Sequence, residues 1–429
     1  MALARPKKLK LLFVHQGFPG QYVHILQALA EEGHELVGLG LRPPSDVLPD
    51  SLTYIQYRLE RGNSKDVHPW ALDLESKVLR GEACAKAAAK LKAKGFHPDL
   101  ICGHPGWGEM LCLSDIWPDV PLLTYQEFFY QSHGFDSHFD PELQATPEWP
   151  STARLHLKTA NTLLNLERSS WCVTPTHFQR SSFPKHWRAQ ISVIHDGINT
   201  DQLQPAEHSN PLKLPDGLEL PASIPLVTFV NRHLEPYRGC HTMIRTIPAL
   251  QALAPEAHLV LVGSTTGTSY GKRCPKGEWK DHFLSEIENN YDPSKVHFTG
   301  SLPYASYIEL LQRSSVHVYL TYPFVLSWSL LEAMSCGCAV VGSDTAPLQE
   351  VIKPNRNGLL VNFFDHQALA QSVHDLLHDR DRAQALGRAA RQTILDRYNL
   401  QDCVQRQLTL IKLVAGRGLG VKHVSPGIC

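Results

Sequence analysis

Short, continuous apolar runs alternate with amphipathic stretches along nearly the whole chain. Lys10–His15 (KLLFVH) precedes an amphipathic stretch at Tyr22–Glu32, and Glu35–Gly40 (ELVGLG) follows it. Asp99–Gly103, Val120–Tyr125, Trp171–Thr174 and Ile191–His195 continue this first series. A second series begins near Ile224 and takes in Pro225–Val230, His258–Gly263, Val296–Thr299, Val316–Thr321, Ala339–Gly342 and Leu359–Val361. Apolar runs that do not alternate predict strands buried on both faces, hence parallel sheets covered by helices on each side. Between the series, Asp201–Pro225 holds five prolines and neither a helical nor a strand period, so it reads as a linker. The fold class is therefore α/β, with two Rossmann-like, doubly wound domains expected to face each other across a cleft at their strand C-termini. The boundaries are 1–205, a linker at 206–224, 225–398, and a C-terminal helix with a flexible tail at 399–429, the helix placed to pack back on the N-terminal domain.

Composition narrows the class. The chain has 429 residues, 43% of them hydrophobic and 19% charged, enough for two cores. Lys plus Arg is 41 and Asp plus Glu is 42, so no global field favours nucleic acid, which is not an expected partner. No stretch approaches the ~18 apolar residues of a membrane span, and the basic start lacks the apolar run of a secretory signal. An integral membrane protein, a secreted disulfide scaffold, a disordered chain and a collagen are excluded, and the expected location is cytoplasmic. The ten cysteines are scattered, lack a C-x-x-C pair and fit reduced, buried thiols. His133, Asp136, His138 and Asp140 come nearest to a metal-ligand cluster without ligand spacing. No metal site is expected. Lys86, Lys90, Lys92 and Lys94, with Lys7, Lys8 and Lys10, raise weak contact with the inner face of a membrane as an option. The Ala-rich helix Cys84–Lys94 offers no large apolar anchor for it.

The most informative segment is Tyr322-Pro-Phe-Val-Leu-Ser-Trp-Ser-Leu-Leu-Glu-Ala-Met-Ser-Cys-Gly337. It follows an apolar strand. Ser327 suits an N-cap, Leu330, Leu331 and Met334 share one face, and Gly337 ends the helix. A helix N-terminus offers unpaired N–H groups and a positive dipole end, which suits a diphosphate. Glu332, one turn further on, can accept hydrogen bonds from a ribose. Spacing alone fits an ordinary βα unit with Glu332 in solvent at least as well.

Leu330-Leu-Glu-Ala-Met-Ser-Cys-Gly-Cys-Ala-Val-Val341 resembles the signature of retaining family 4 glycosyltransferases of the GT-B fold. Phe229-Val-Asn-Arg-His-Leu-Glu-Pro-Tyr-Arg-Gly239 is similar to that family's Gly-Arg…Lys-Gly segment, and Gly342–Ile352 with Asn357–Val361 matches in order and spacing. Phe13-Val-His-Gln-Gly-Phe-Pro-Gly20, Gly33-His-Glu and Val193–Asn199 resemble the family's first βαβ unit and the close of its N-terminal domain. The His-Gln-Gly-Phe-Pro-Gly start marks a subgroup.

The resemblance implies roles residue by residue. Arg232 and Arg238 fall on the two cations that hold the leaving diphosphate, and Glu332 on the acid that holds the ribose. Gly17 and Gly20 in the first β-to-α loop, Gly263, and the run Phe324, Val325, Leu326 and Ser327 fall on the donor side. Two departures stand out. Phe324 occupies the place of the acid that contacts the donor sugar, leaving the N–H groups of Val325 and Leu326 and the Ser327 hydroxyl to face the donor. After Val120–Leu123 this chain has Thr124-Tyr-Gln-Glu127, with Gln126 where the family often has His. Glu127 is then the candidate to orient or deprotonate the acceptor, and His104, in another loop after a strand, a second catalytic candidate.

The implied function is a retaining glycosyltransferase, a hexosyltransferase by preference, that moves a sugar from a nucleotide-sugar to a hydroxyl of a sugar, lipid-linked or small-molecule acceptor. A front-face substitution is implied, with no cofactor and no metal required. A sugar-nucleotide epimerase of the same fold and a non-catalytic nucleotide-sugar binder are the alternatives. The sequence names neither the base, the sugar nor the acceptor.

Overall fold

The computed structural model describes residues 8–143, 148–207 and 210–416. The chain divides into two units, Met1–Ser132 with Pro147–Asp196 and Gln401–Cys429, and His133–Thr146 with Gly197–Leu400.

The first unit is built on a seven-stranded sheet in the order β3-β2-β1-β4-β5-β6-β7. Its strands are β1 (Lys10–Val14), β2 (Glu35–Gly40), β3 (Leu52–Gln56), β4 (Leu100–Gly103), β5 (Leu122–Tyr125), β6 (Trp171–Thr174) and β7 (Ile191–Val193), all parallel. Central β1 pairs Leu12 with Val37 on one side and Ile101 on the other. Leu11, Leu12, Phe13 and Val14 have no solvent exposure, which is why this strand reads as an unbroken apolar run. One face packs Leu12, Leu39 and Ile101 with Trp117 and with Cys84 and Ala88 of the helix Leu72–Ala93. Each large aliphatic side chain so buried contributes about 1.5–3 kcal/mol.

The helix Leu400–Gly416 completes this unit from the far end of the chain. Gln407 Nε2 donates to the His195 carbonyl at 3.2 Å, Lys412 pairs with Glu32 at 2.8 Å, and Leu410 packs against Tyr125, Val173 and Ile194. The tail beyond it, like Lys7, lies outside the described residues.

The second unit carries a six-stranded sheet in the order β12-β11-β10-β13-β14-β15. Before it, β8 (Leu212–Lys213) and β9 (Glu219–Leu220) form a small antiparallel hairpin. The sheet strands are β10 (Leu226–His233), β11 (His258–Ser264), β12 (Val296–Gly300), β13 (Val316–Tyr319), β14 (Val340–Ser343) and β15 (Leu359–Val361), again all parallel.

Two readings of the chain's organisation are corrected here. The stretch expected to be a strandless linker carries the hairpin, whose Leu212 and Leu220 join the core of Leu330, Leu331 and Met334. Two-residue strands are too short to show a period. The N-terminal block is also not continuous, because residues 133–143 group with the second unit.

Candidate active site

In the second unit, the C-terminal ends of β10 and β13 bring the two arginines of the sequence motif to the same region. Arg232, the penultimate residue of β10, is exposed and forms no hydrogen bond or ion pair among the described residues. Arg238 is buried. Its Nη1 donates to Thr321 Oγ1 and the Val325 carbonyl, both at 2.9 Å, and more weakly to the Tyr319 hydroxyl at 3.4 Å. One cation is thus open to a ligand, and the other fixes the loop that follows β13. Gly239, at φ +71°, must be glycine here, since a Cβ would strike Leu320. Gly263, at φ +146°, lies against the Asn231 carbonyl with the same consequence.

That loop leads into the helix Trp328–Ser335. Ser327 caps it, accepting the N–H of Ser329 at 3.3 Å, and its own N–H goes to the Tyr319 hydroxyl. The N–H groups of Val325 and Leu326 have no partner among the described residues. With the helix dipole behind them they present a positive, donor-rich edge. Glu332, a turn inside, accepts hydrogen bonds from the hydroxyls of Tyr304 at 3.1 Å and Tyr307 at 2.8 Å. Burial pushes its carboxyl pKa up, and these two bonds offset part of that. A carboxylate has about four lone-pair sites, so two remain for a ligand.

Residues 133–143 brace the same loop. Tyr322 donates to Asp140 Oδ2 at 2.5 Å, and His241 stands 3.1 Å from the same oxygen. Tyr237 donates to Asp136 at 3.0 Å, and Phe139 packs on Tyr322, Phe363 and Phe364. Arg245 makes a two-pronged bond to Glu142 at 2.7 and 2.8 Å and pairs with Glu286 at 2.6 Å. Glu235, almost fully buried, accepts the N–H groups of Ser269 and Tyr270 at 2.6 and 3.0 Å, tying down the loop after β11.

In the first unit a second cluster stands where β1, β4 and β5 end. His104 lies under Trp107, ring centroids 4.2 Å apart, with His15 and Tyr125 at 5.7 and 5.6 Å. His104 Nδ1 accepts the N–H of Gly106, so neutral His104 carries its proton on Nε2, which is buried without a hydrogen-bond partner among the described residues, Glu127 Oε2 lying 3.8 Å away. Burial, with His15 beside it, holds the His104 pKa far below the usual histidine value. Burial likewise lowers His15 to about 4, against its bond to the Gly17 carbonyl at 2.7 Å. Gly20 is required at φ +55°, because a Cβ there would strike the His15 ring, whereas a Cβ on Gly17 would meet nothing within 4 Å. Gln126 is buried, with its amide on Thr124 Oγ1.

Two family models divide the chain. Residues 32–203 match "Glycosyl transferase family 4 group" and residues 215–393 match "Glycosyl transferases group 1". A glycogen synthase of Mycobacterium tuberculosis is 23% identical over 424 residues, covering 93% of this chain and 91% of that protein. Sucrose-phosphate synthase from Thermosynechococcus elongatus superposes with a TM-score of 0.71 at 19% identity, over 95% of this chain and all of that one. HepE from Anabaena, solved with UDP-glucose, superposes at 0.64 and 15% identity, over 94% of this chain and all of its own. The chain is a glycosyltransferase of the GT-B type.

In this glycosyltransferase the structure gathers Arg232, Arg238, Val325, Leu326, Ser327 and Glu332 at one end of the second sheet. Gly17, Gly20, His104 and Glu127 belong to the first unit. Phe324, expected on the donor side, turns its ring into the loop. Its ring is 2% exposed, packed edge-on against Tyr270 and Tyr237 at 4.8 and 5.6 Å, with the Arg238 guanidinium 5.8 Å from its centre. An aromatic ring at that position fills the loop's interior. Sequence reasoning missed Tyr304, Tyr307 and Trp107 and the bracing role of Asp140, which arise from contacts across 25 to 182 positions or from ring stacking. The Asp136 and Asp140 carboxylates, weighed as metal ligands, are engaged by tyrosine hydroxyls. Among the described residues no group of three or more His, Cys, Asp or Glu could hold a metal ion. None of the described helices is long and apolar enough to cross a membrane. Lys86 is paired with Glu60 and Glu82.

Proposed function

We propose that this glycosyltransferase moves a sugar from a nucleotide-sugar donor to an acceptor hydroxyl with retention at the anomeric carbon, and without a metal ion. The observation that carries the reading is Arg232, an exposed cation with no hydrogen bond or ion pair among the described residues, on the unit that also supplies the N–H groups of Val325 and Leu326, likewise without a partner among those residues. The bond between the anomeric carbon and the diphosphate breaks as the acceptor oxygen bonds on the same face. The acceptor proton passes to the departing phosphate oxygen. Charge gathers on that diphosphate in the transition state, and fixed donors and cations stabilise it there. Arg232 meets the charge directly, Arg238 holds the loop and adds its field, and Glu332 takes the ribose hydroxyls. With two arginines in this role, the mechanism asks nothing of a metal. In the first unit, Glu127 orients the acceptor, with His104 the second candidate for that role.

The HepE complex with UDP-glucose supports a uridine nucleotide as the first donor to try. The His15-Gln-Gly-Phe-Pro-Gly20 turn supports a subgroup of its own, with a sugar, a lipid-linked or a small molecule as acceptor. The test is melting temperature against UDP-, GDP-, ADP- and dTDP-sugars, with magnesium and with chelator. Product anomer is then read by NMR. A shift with one nucleotide, unchanged by chelator, and an unaltered anomer are expected. No shift with any donor overturns the site, an inverted anomer overturns retention, and activity lost in chelator overturns metal independence.

A further inference from the structure

At the opposite edge of the second sheet, where its strands begin, lies a cavity of about 300 Å³. Its lining includes Ser223, Pro225, Arg313, Ser314, Ala339 and Arg380. Pro225, Ser314 and Ala339 come just before β10, β13 and β14, whereas Arg232 and the loop 321–326 come at or after the strand ends. Because those strands are parallel, roughly 15 Å of sheet separates the cavity from the candidate donor site.

Arg313 is 8% exposed. Its Nη2 donates to the carbonyls of Pro221 and Ile224 at 2.8 and 2.5 Å, and its Nε is buried with no partner. Neither Arg313 nor Arg380 has an ion pair among the described residues, and no Asp or Glu lines the cavity. Asp379, beside Arg380 in sequence, is engaged in capping the N–H of Arg382 at 3.0 Å. A guanidinium buried with neutral carbonyls only and one orphaned donor is costly to keep. An anion entering the cavity supplies the missing counter-charge, and the planar fork of arginine suits phosphate oxygens.

We propose that this cavity is a second ligand site that takes a phosphomonoester of about sugar size, its phosphate held by Arg313 and Arg380. Nothing in the transfer reaction requires such a site, and the proposal stands whether or not the donor assignment does.

The test uses the full chain at constant ionic strength, with inorganic phosphate and ribose 5-phosphate titrated against chloride. Wild type, Arg380→Glu and Arg232→Ala are compared by calorimetry and hydrogen exchange. Arg380 is exposed, so its replacement leaves the fold intact. Binding should protect residues 221–226 and 312–316, weaken at least tenfold in Arg380→Glu and persist in Arg232→Ala. Equal affinity in Arg380→Glu, or protection confined to other segments, overturns the proposal. So does binding lost in Arg232→Ala and kept in Arg380→Glu, which would assign the phosphate to the donor side. Arg313→Met, which removes the buried charge, should also abolish binding.

Discussion

The hydroxyl of Tyr322 donates to Asp140 at 2.5 Å across 182 positions of chain. Asp140 also takes His241, and the two together fasten residues 133–143 to the loop that carries Val325 and Leu326. Removing one partner of a buried, charge-assisted pair costs about 3–5 kcal/mol. Asp140→Ala should therefore lower unfolding free energy by about that amount in urea melts, and nucleotide affinity with it. A loss under about 1 kcal/mol would show that the carboxylate does not fasten the segment.

The same carboxylate predicts an acid limit. Burial alone would raise its pKa, but the hydrogen bonds from His241 and Tyr322 outweigh that and hold it at about 2, below the ordinary 3.8. A depressed acid contributes its stability above about 3.8 and loses it as pH falls through about 2. In Asp140→Asn this segment of the pH–stability curve should flatten.

Buried histidines act in a higher window. Burial lowers His195 to about 4 and His317 to about 3, and His15 to about 4 against its bond to Gly17. These rings stay neutral in the fold while the unfolded chain protonates below about 6.5. Stability should be unaffected above that value and fall from pH 6.5 toward 4. Proton NMR should show these three rings not titrating above pH 5. A ring titrating near 6.5 would contradict its burial.

Arg232→Ala and Arg238→Ala should separate. Both lower turnover by roughly 10²–10³, the scale of a lost charge-stabilising group. Arg232→Ala should melt like wild type, being exposed and without a hydrogen bond or ion pair among the described residues. Arg238→Ala should also be destabilised, because Thr321 and the Val325 carbonyl lose their donor. Identical melting of the two variants would contradict this division of labour.

Glu332→Ala should weaken nucleotide binding by about 1.5–3 kcal/mol, as for a charge-assisted hydrogen bond. Tyr307→Phe is the companion experiment. It removes one hydroxyl from the carboxylate and should shift affinity by less. If neither alters affinity in calorimetric titration, the ribose lies elsewhere.

Strands were legible wherever both faces are buried, as in β1, whose Leu11–Val14 run is unbroken, or β10, where only the buried Thr228 interrupts Leu226–Val230. β3 went unread, since Leu52, Tyr54 and Ile55 at the sheet edge are only half-buried and polar residues break the series. The motif positions Arg232, Arg238 and Glu332 were legible because the resemblance fixes them within one stretch of chain each. Phe324 was not, since its neighbours Tyr237 and Tyr270 arrive from other loops. Residues 133–143 carry no regular structure at all, and their place is set by single contacts from Asp136, Phe139, Asp140 and Glu142.

The final helix Leu400–Gly416 belongs with the first unit, and residues 133–143 with the second. Each half of the gene therefore encodes a piece of the other's interior. A fragment ending at residue 205 would bare Tyr125, Val173 and Ile194 where Leu410 packs. The two units of this chain can be exchanged only as interleaved, non-contiguous segments.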